Sequence, residues 1–223
     1  MRTVIFDLDG TLADTSGDLI AAANVCFHRL GYGDLLDPAR DQGTGLLGGR
    51  AMLRLGAKRL GLNDKAAETL ADTEYHAFLA VYAEDIDRRT AVYPGVEAAL
   101  DALADDGYIL GVCTNKPEAL AESLLGKLDL RRRFGAVIGA DTLSVRKPHP
   151  APYIAAVTRA GGSVETSVMI GDSVTDRDTA RAVGVPSVLV TFGPYGADMA
   201  ALAPEALLDR YEDLCDIVRG LIG

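Results

Sequence analysis

The chain has 223 residues, 48% hydrophobic and 24% charged, which is the make-up of a globular protein and excludes a disordered or fibrous one. Its 22 Lys and Arg stand against 32 Asp and Glu, a formal net charge of −10, so no broad cationic field is available for nucleic acid. A small anionic substrate stays open, because it needs only a local positive group or a bound cation.

In chain order, residues 3–8 form an apolar, β-branched run that predicts a strand buried on both faces and ending in a polar loop. This run meets Asp7 and Asp9 too soon for a signal-peptide core, and no stretch nears the roughly 20 apolar residues of a membrane span. Cys26, Cys113 and Cys215 are far apart, as expected of packing residues in a reducing compartment. A cytoplasmic protein is therefore expected.

From residue 14 the strand pattern stops. Leu19, Ala23, Phe27 and Leu30 share one helical face, closed by Gly31, and Ala67, Leu70, Ala71, Phe78, Val81 and Tyr82 share another. Further strands are predicted at 108–113, 136–138, 167–170 and 187–191. Helices are predicted between them, around Val96, Leu100 and Leu103 and over 119–130, 151–160 and 175–183, with a final one carrying Leu214, Ile217, Val218 and Leu221. Alternating strands and helices predict an α/β fold with a doubly wound parallel sheet. The expected organisation is a catalytic core of residues 1–13 plus 86–223, with an all-helical cap of residues 14–85 inserted after the first strand. Such an insertion is a candidate lid over the carboxyl edge of the sheet.

Four strand-end loops carry unusual polar residues. Asp7 and Asp9, in Asp-Leu-Asp-Gly-Thr, would share a face in extended geometry, and like charges that close raise each other's pKa unless a cation intervenes. Thr114 and Asn115 follow the second core strand, where a simple turn is the alternative reading. Lys147 either neutralises an anion or is surface charge. Asp172 and Asp176 follow another strand, with helix capping by Asp172 or Ser173 as the alternative. If the strands are parallel, all four loops meet at one edge, giving three or four carboxylates, one lysine and several hydroxyl and amide donors. Carboxylates suit a hard cation such as Mg²⁺ with a substrate phosphate, which makes this a phosphoryl-transfer site.

The order D-x-D-G-T, T-N, K-P and G-D-x-x-x-D, running from residue 7 to residue 176, resembles the phosphatases of the haloacid dehalogenase superfamily. Tyr93-Pro94-Gly95-Val96, Cys113-Thr114-Asn115-Lys116-Pro117 and Arg146-Lys147-Pro148-His149-Pro150 look most like the bacterial phosphoglycolate phosphatases. The resemblance implies an Mg²⁺-dependent phosphomonoesterase. Asp7 would be the nucleophile that forms an aspartyl-phosphate, and Asp9 the acid and base. Thr114, Asn115 and Lys147 would hold the phosphoryl group. Asp7, the main-chain carbonyl of Asp9, and Asp172 would ligate Mg²⁺, with Asp176 close by or reaching it through water. The implied partner is a small phosphorylated metabolite, most simply 2-phosphoglycolate, with no nucleic acid or membrane and a monomer or homodimer. Another small substrate, such as pyrophosphate, a sugar phosphate or a nucleotide, is the alternative, and a phosphate-binding regulatory module the alternative function.

Gly43-Thr44-Gly45-Leu46-Leu47-Gly48 satisfies G-x-G-x-x-G, but no strand precedes it, as a dinucleotide site requires. Gly43 and Gly45 are instead expected to let the cap backbone approach substrate. Arg50 is expected either to meet a substrate carboxylate or to be a solvated helix charge. His149 is a candidate to orient Lys147.

Overall fold

Thr3, Val4, Ile5 and Phe6 are completely buried, and they form the centre of a six-stranded sheet. The computed structural model describes residues 1–223, the side chain of Ala197 excepted. The elements run β1 Thr3–Phe6, β2 Ala13–Asp14, α1 Ser16–Arg29, α2 Gln42–Leu46, α3 Gly49–Arg59, α4 Asp64–Glu84, β3 Ala91–Val92, α5 Val96–Asp105 and β4 Ile109–Cys113. They continue with α6 Glu118–Lys127, β5 Ala136–Ile138, α7 Pro150–Arg159, β6 Ser167–Gly171, α8 Val174–Val183, β7 Ser187–Val190, β8 Ala206–Leu208 and α9 Leu214–Ile222.

The sheet order is β5-β4-β1-β6-β7-β8, and every pairing is parallel. From β1 the chain winds outward through β4 and β5, then returns to the other side for β6, β7 and β8. The reversal falls at β1, the kind of switch point where open α/β sheets bind ligands beyond their carboxyl ends. Phe6 lies opposite both Val112 and Ile170, so the loops that follow these three strands start at nearly the same level. Ile5, Cys113, Ile138, Tyr153 and Met169 pack in one buried cluster that anchors these strands.

The doubly wound α/β core matches the sequence expectation, with one strand added. β8 has the short sequence Ala-Leu-Leu and carries no β-branched signal. It is fixed from outside: Arg177 on α8 pairs with Glu205 at 2.7 Å, and Glu205 also accepts the Ser187 N–H at 2.7 Å.

The chain divides into two compact units, Met1–Ala13 with Val92–Gly223, and Asp14–Ala91. Residues 86–91, read from sequence with the core, cluster with the helical unit. Ile86 is buried, and the Asp18 carboxylate of α1 accepts the main-chain N–H groups of Arg89 and Thr90 at 2.8–2.9 Å. Within the helical unit, helices α1 to α4 bury Phe27, Met52, Leu53, Phe78 and Tyr82. A Cβ at Gly56 would stand 2.2 Å from the Phe27 ring, so glycine is what lets α3 approach α1. The two crossings between units, β2 and β3, form a separate two-stranded sheet.

Candidate active site

Asp7 is the first residue past β1, and its N–H still donates to Ile170 O at 2.9 Å. The chain then turns tightly. Leu8 O accepts from Thr11, Leu12 and Ala13, and Gly10 adopts φ +81°, a left-handed conformation that glycine takes without strain. The strand ends at Phe6, two residues short of the predicted Leu8, so the extended geometry expected to put Asp7 and Asp9 on one face is absent, and the two carboxylates take different partners. Asp7 Oδ1 accepts the Leu8 N–H at 2.7 Å while Oδ2 lies 3.1 Å from Lys147 Nζ. Asp9 receives Lys116 Nζ on both oxygens, at 2.8 and 3.1 Å. The buried Tyr211 hydroxyl donates to Thr11 O at 2.7 Å and braces this turn.

The loop after β6 is built around Asp176. Ser173 and Asp176 form a reciprocal capping box at the start of α8, so Ser173 is the cap. Asp176 is fully buried. Its Oδ2 accepts from Ser173 Oγ at 2.6 Å and from the Asp172 and Ser173 N–H groups at 3.2 Å, and its Oδ1 accepts Lys147 Nζ at 2.6 Å. A Cβ on Gly171 would sit 2.4 Å from Asp176, so the absence of a side chain there makes room for the carboxylate. Asp172 accepts Thr11 Oγ1 at 3.1 Å.

Asp7, Asp172 and Asp176 each offer one oxygen, and these atoms lie within 4.8 Å of one another. Burial is the largest cause that pushes Asp7 up to about 6; Lys147 opposes it, and Asp176 and Asp9 add to it. Burial, followed by Asp176 and Asp7, raises Asp172 well above the usual carboxylate range. Lys147 is pulled down by burial, yet Asp176 and Asp7 outweigh this and hold its ammonium firmly charged. Three ionised carboxylates against one lysine would carry an excess of negative charge, which protons or a cation must offset. Oxygen donors in that arrangement fit a hard divalent cation.

Thr114 follows β4, is 3% exposed, and accepts the Lys116 N–H on Oγ1 at 3.2 Å, which leaves its hydroxyl hydrogen for another acceptor. Asn115 was expected on the phosphate. It is exposed and donates to the main-chain carbonyl of Lys147 at 3.1 Å, lashing the β4 loop to the lysine loop. His149 caps α7 by accepting the Ala151 N–H at 3.2 Å, a different task from orienting Lys147. Cys113 is packed in the core, and burial pushes its thiol up to about 12, as suits an inert packing residue.

Gly43, Gly45 and Arg50 belong to the helical unit. Gly43 and Gly45 lie within α2, and a Cβ on Gly45 would meet Ser16 Cβ at 3.1 Å, so this glycine serves the packing of α2 on α1. The Arg50 guanidinium pairs with Asp72 and lies 4.3 Å over the Tyr75 ring, so it is already partnered within its own unit.

Sequence reasoning missed Lys116. It stands in the quoted T-N-K-P run, and its signal was a lysine three residues past a buried strand end.

A doubly wound α/β enzyme, with carboxylates and a lysine gathered where its sheet reverses, is the class that the fold and site define. The chain belongs to the haloacid dehalogenase-like hydrolases, whose family model matches residues 4–190. It is 42% identical over 222 residues to a phosphoglycolate phosphatase of Rhodospirillum rubrum, covering 96% of this chain and 90% of that protein. It is 38% identical over 210 residues to one of Agrobacterium fabrum, covering 94% and 89%. The solved structure of a predicted phosphoglycolate phosphatase from Haemophilus somnus superposes with a TM-score of 0.80 at 25% identity, over 97% of each chain. No helix among the described residues is long and apolar enough to cross a membrane.

Proposed function

We propose that the chain is an Mg²⁺-dependent phosphomonoester hydrolase that works through an aspartyl-phosphate on Asp7, with 2-phosphoglycolate as substrate. The observation that carries the reading is the position of Asp7. Its carboxylate is oriented by the Leu8 N–H, faces Lys147 Nζ at 3.1 Å, and lies in a group of three carboxylates at the strand ends. Asp7, Asp172 and the main-chain carbonyl of Asp9 would hold Mg²⁺. Asp176, with both oxygens already hydrogen-bonded, would act beside it or through water. When bound, the cation offsets the charge of the phosphoryl group and of the carboxylates around it.

Asp7 attacks phosphorus in line with the leaving oxygen. Lys147 Nζ and the Thr114 hydroxyl take equatorial phosphoryl oxygens, where charge spreads in the transition state. Without such partners a carboxylate and a phosphate at 4 Å repel by about 4 kcal/mol per charge pair, at an effective dielectric near 20. Asp9 gives a proton to the leaving alcohol oxygen and then takes one from the water that opens the aspartyl-phosphate, help worth roughly 10²–10⁴-fold. Asn115 keeps Lys147 in place through its backbone.

In this reading the helical unit acts as the lid, with β2 and β3 as its hinge and Gly43, Gly45 and Arg50 as its candidate substrate residues. Arg50 would have to exchange Asp72 for a substrate carboxylate to take part. The choice of 2-phosphoglycolate is supported by the named activity of the relatives. The experiment is a panel of phosphate esters with and without chelator. Phosphate release should be fastest from 2-phosphoglycolate and lost on chelation. Activity on pyrophosphate or a sugar phosphate well above it overturns the substrate.

A further inference from the structure

We infer that Lys116 is the positioning residue for Asp9, holding its carboxylate on the leaving-group side of the reaction. The inference rests on the phosphohydrolase reading and deepens it. Asp9 lies past the end of β1, at the turn through Gly10, where its backbone forms an isolated bridge to Ala13 outside the core sheet. Its carboxylate is held by Lys116 Nζ, which reaches both oxygens at 2.8 and 3.1 Å. The pair is enclosed: the side chains are 3% exposed for Lys116 and 16% for Asp9.

The base of Lys116 is held as firmly as its tip. Its N–H donates to Thr114 Oγ1 at 3.2 Å, and its carbonyl accepts the Ala140 N–H at 2.9 Å. A Cβ on Gly139 would stand 2.8 Å from that carbonyl and 2.3 Å from Glu118 N, so glycine at 139 permits the close approach. The two lysines therefore divide the site. Lys147 faces Asp7 and Asp176 in the cluster, whereas Lys116 takes Asp9. Both are tied to the loop after β4, Lys116 as a member and Lys147 through Asn115. A carboxylate that must deliver a proton to one oxygen and collect it from another loses its advantage when free to swing, since a misplacement of about 1 Å can cost ~10²-fold.

The test uses the full chain with Mg²⁺, comparing Lys116→Met, which keeps an apolar stem, with Lys116→Arg. The value read is kcat/KM, which covers the steps up to departure of the leaving group. The substrates are 2-phosphoglycolate and ethyl phosphate, whose alkoxides need a proton, and 4-nitrophenyl phosphate, whose phenolate does not. Lys116→Met should lower kcat/KM by roughly 10- to 100-fold for both alkyl esters and by less than about threefold for the nitrophenyl ester. Lys116→Arg should recover part of the loss. An equal fall for all three esters means a structural role and overturns the inference, as does no fall at all. A fall confined to 2-phosphoglycolate means that Lys116 reads the substrate carboxylate, and also overturns it. Wild-type protein inactive on every ester overturns the phosphohydrolase reading and this inference with it, an outcome distinct from an active wild type with an indiscriminate variant.

Discussion

Replacing Lys147 by Met removes one positive charge from the most enclosed part of the site while keeping most of the apolar stem. Lys147 Nζ lies 2.6 Å from Asp176 Oδ1 and 3.1 Å from Asp7 Oδ2, with side-chain exposures of 1%, 0% and 13% for the three residues. At such separations and an effective dielectric near 20, each attraction is about 5–6 kcal/mol before desolvation is counted. The measured cost of leaving one member of a buried pair uncompensated is about 3–5 kcal/mol, which is the loss expected in chelator. For a chain of this size that corresponds to a fall in Tm of roughly 6–20 °C. Asp7 already lies near 6, and without Lys147 it rises further, so proton uptake relieves the variant in acid. The loss should therefore be greater at pH ~8 than at pH ~6. Denaturant unfolding in chelator at both values measures it, and Lys147→Met/Asp176→Asn should recover much of the loss. A cost below about 1 kcal/mol, or one that simply adds in the double variant, would refute the reasoning.

The same carboxylates set a pH dependence in metal-free protein. Asp7 moves from 3.8 to about 6 on folding, and Asp172 moves in the same direction, so the folded state binds more protons than the unfolded one. Stability then falls as pH rises from about 4 to beyond 6, by about 3 kcal/mol for Asp7 alone. Added Mg²⁺ should consequently raise Tm more at pH ~7.5 than at pH ~5.5; an equal or larger rise in acid contradicts this. Gly171→Ala puts a Cβ 2.4 Å from Asp176 and should cost about 1–3 kcal/mol together with activity. Gly220→Ala in α9 meets nothing within 4 Å and should be neutral or stabilising, a contrast that thermal melts will read.

The sequence made the core legible because β1, β4, β5, β6 and β7 are short apolar runs buried on the sheet, and each of the site loops begins at the end of such a run. Asp7, Lys147, Asp172 and Asp176 could be read as one constellation once parallel strands were assumed, and the structure brings them together. Contacts remote in sequence were not legible. Lys116 and Asp9 are 107 positions apart, and nothing local to either announces the pair. β8 depends on Glu205 being held by Arg177, and the end of the helical unit on Asp18 reaching Arg89 and Thr90. Asp7 and Asp9 take different lysines, which the expectation of a shared face in extended geometry did not foresee, because the strand stops at Phe6 and the chain turns through Gly10. Asn115 illustrates a further limit: its bond to the Lys147 carbonyl, 32 positions away, has no local signal in the sequence.

The most direct test of the central claim is phosphate release from 2-phosphoglycolate by wild-type chain and by Asp7→Asn, each with Mg²⁺, with folding checked by thermal melt. The account predicts turnover in the wild type, a folded variant without turnover, and a phosphorylated protein formed only when Asp7 is present. Turnover by Asp7→Asn comparable to that of the wild type would contradict it.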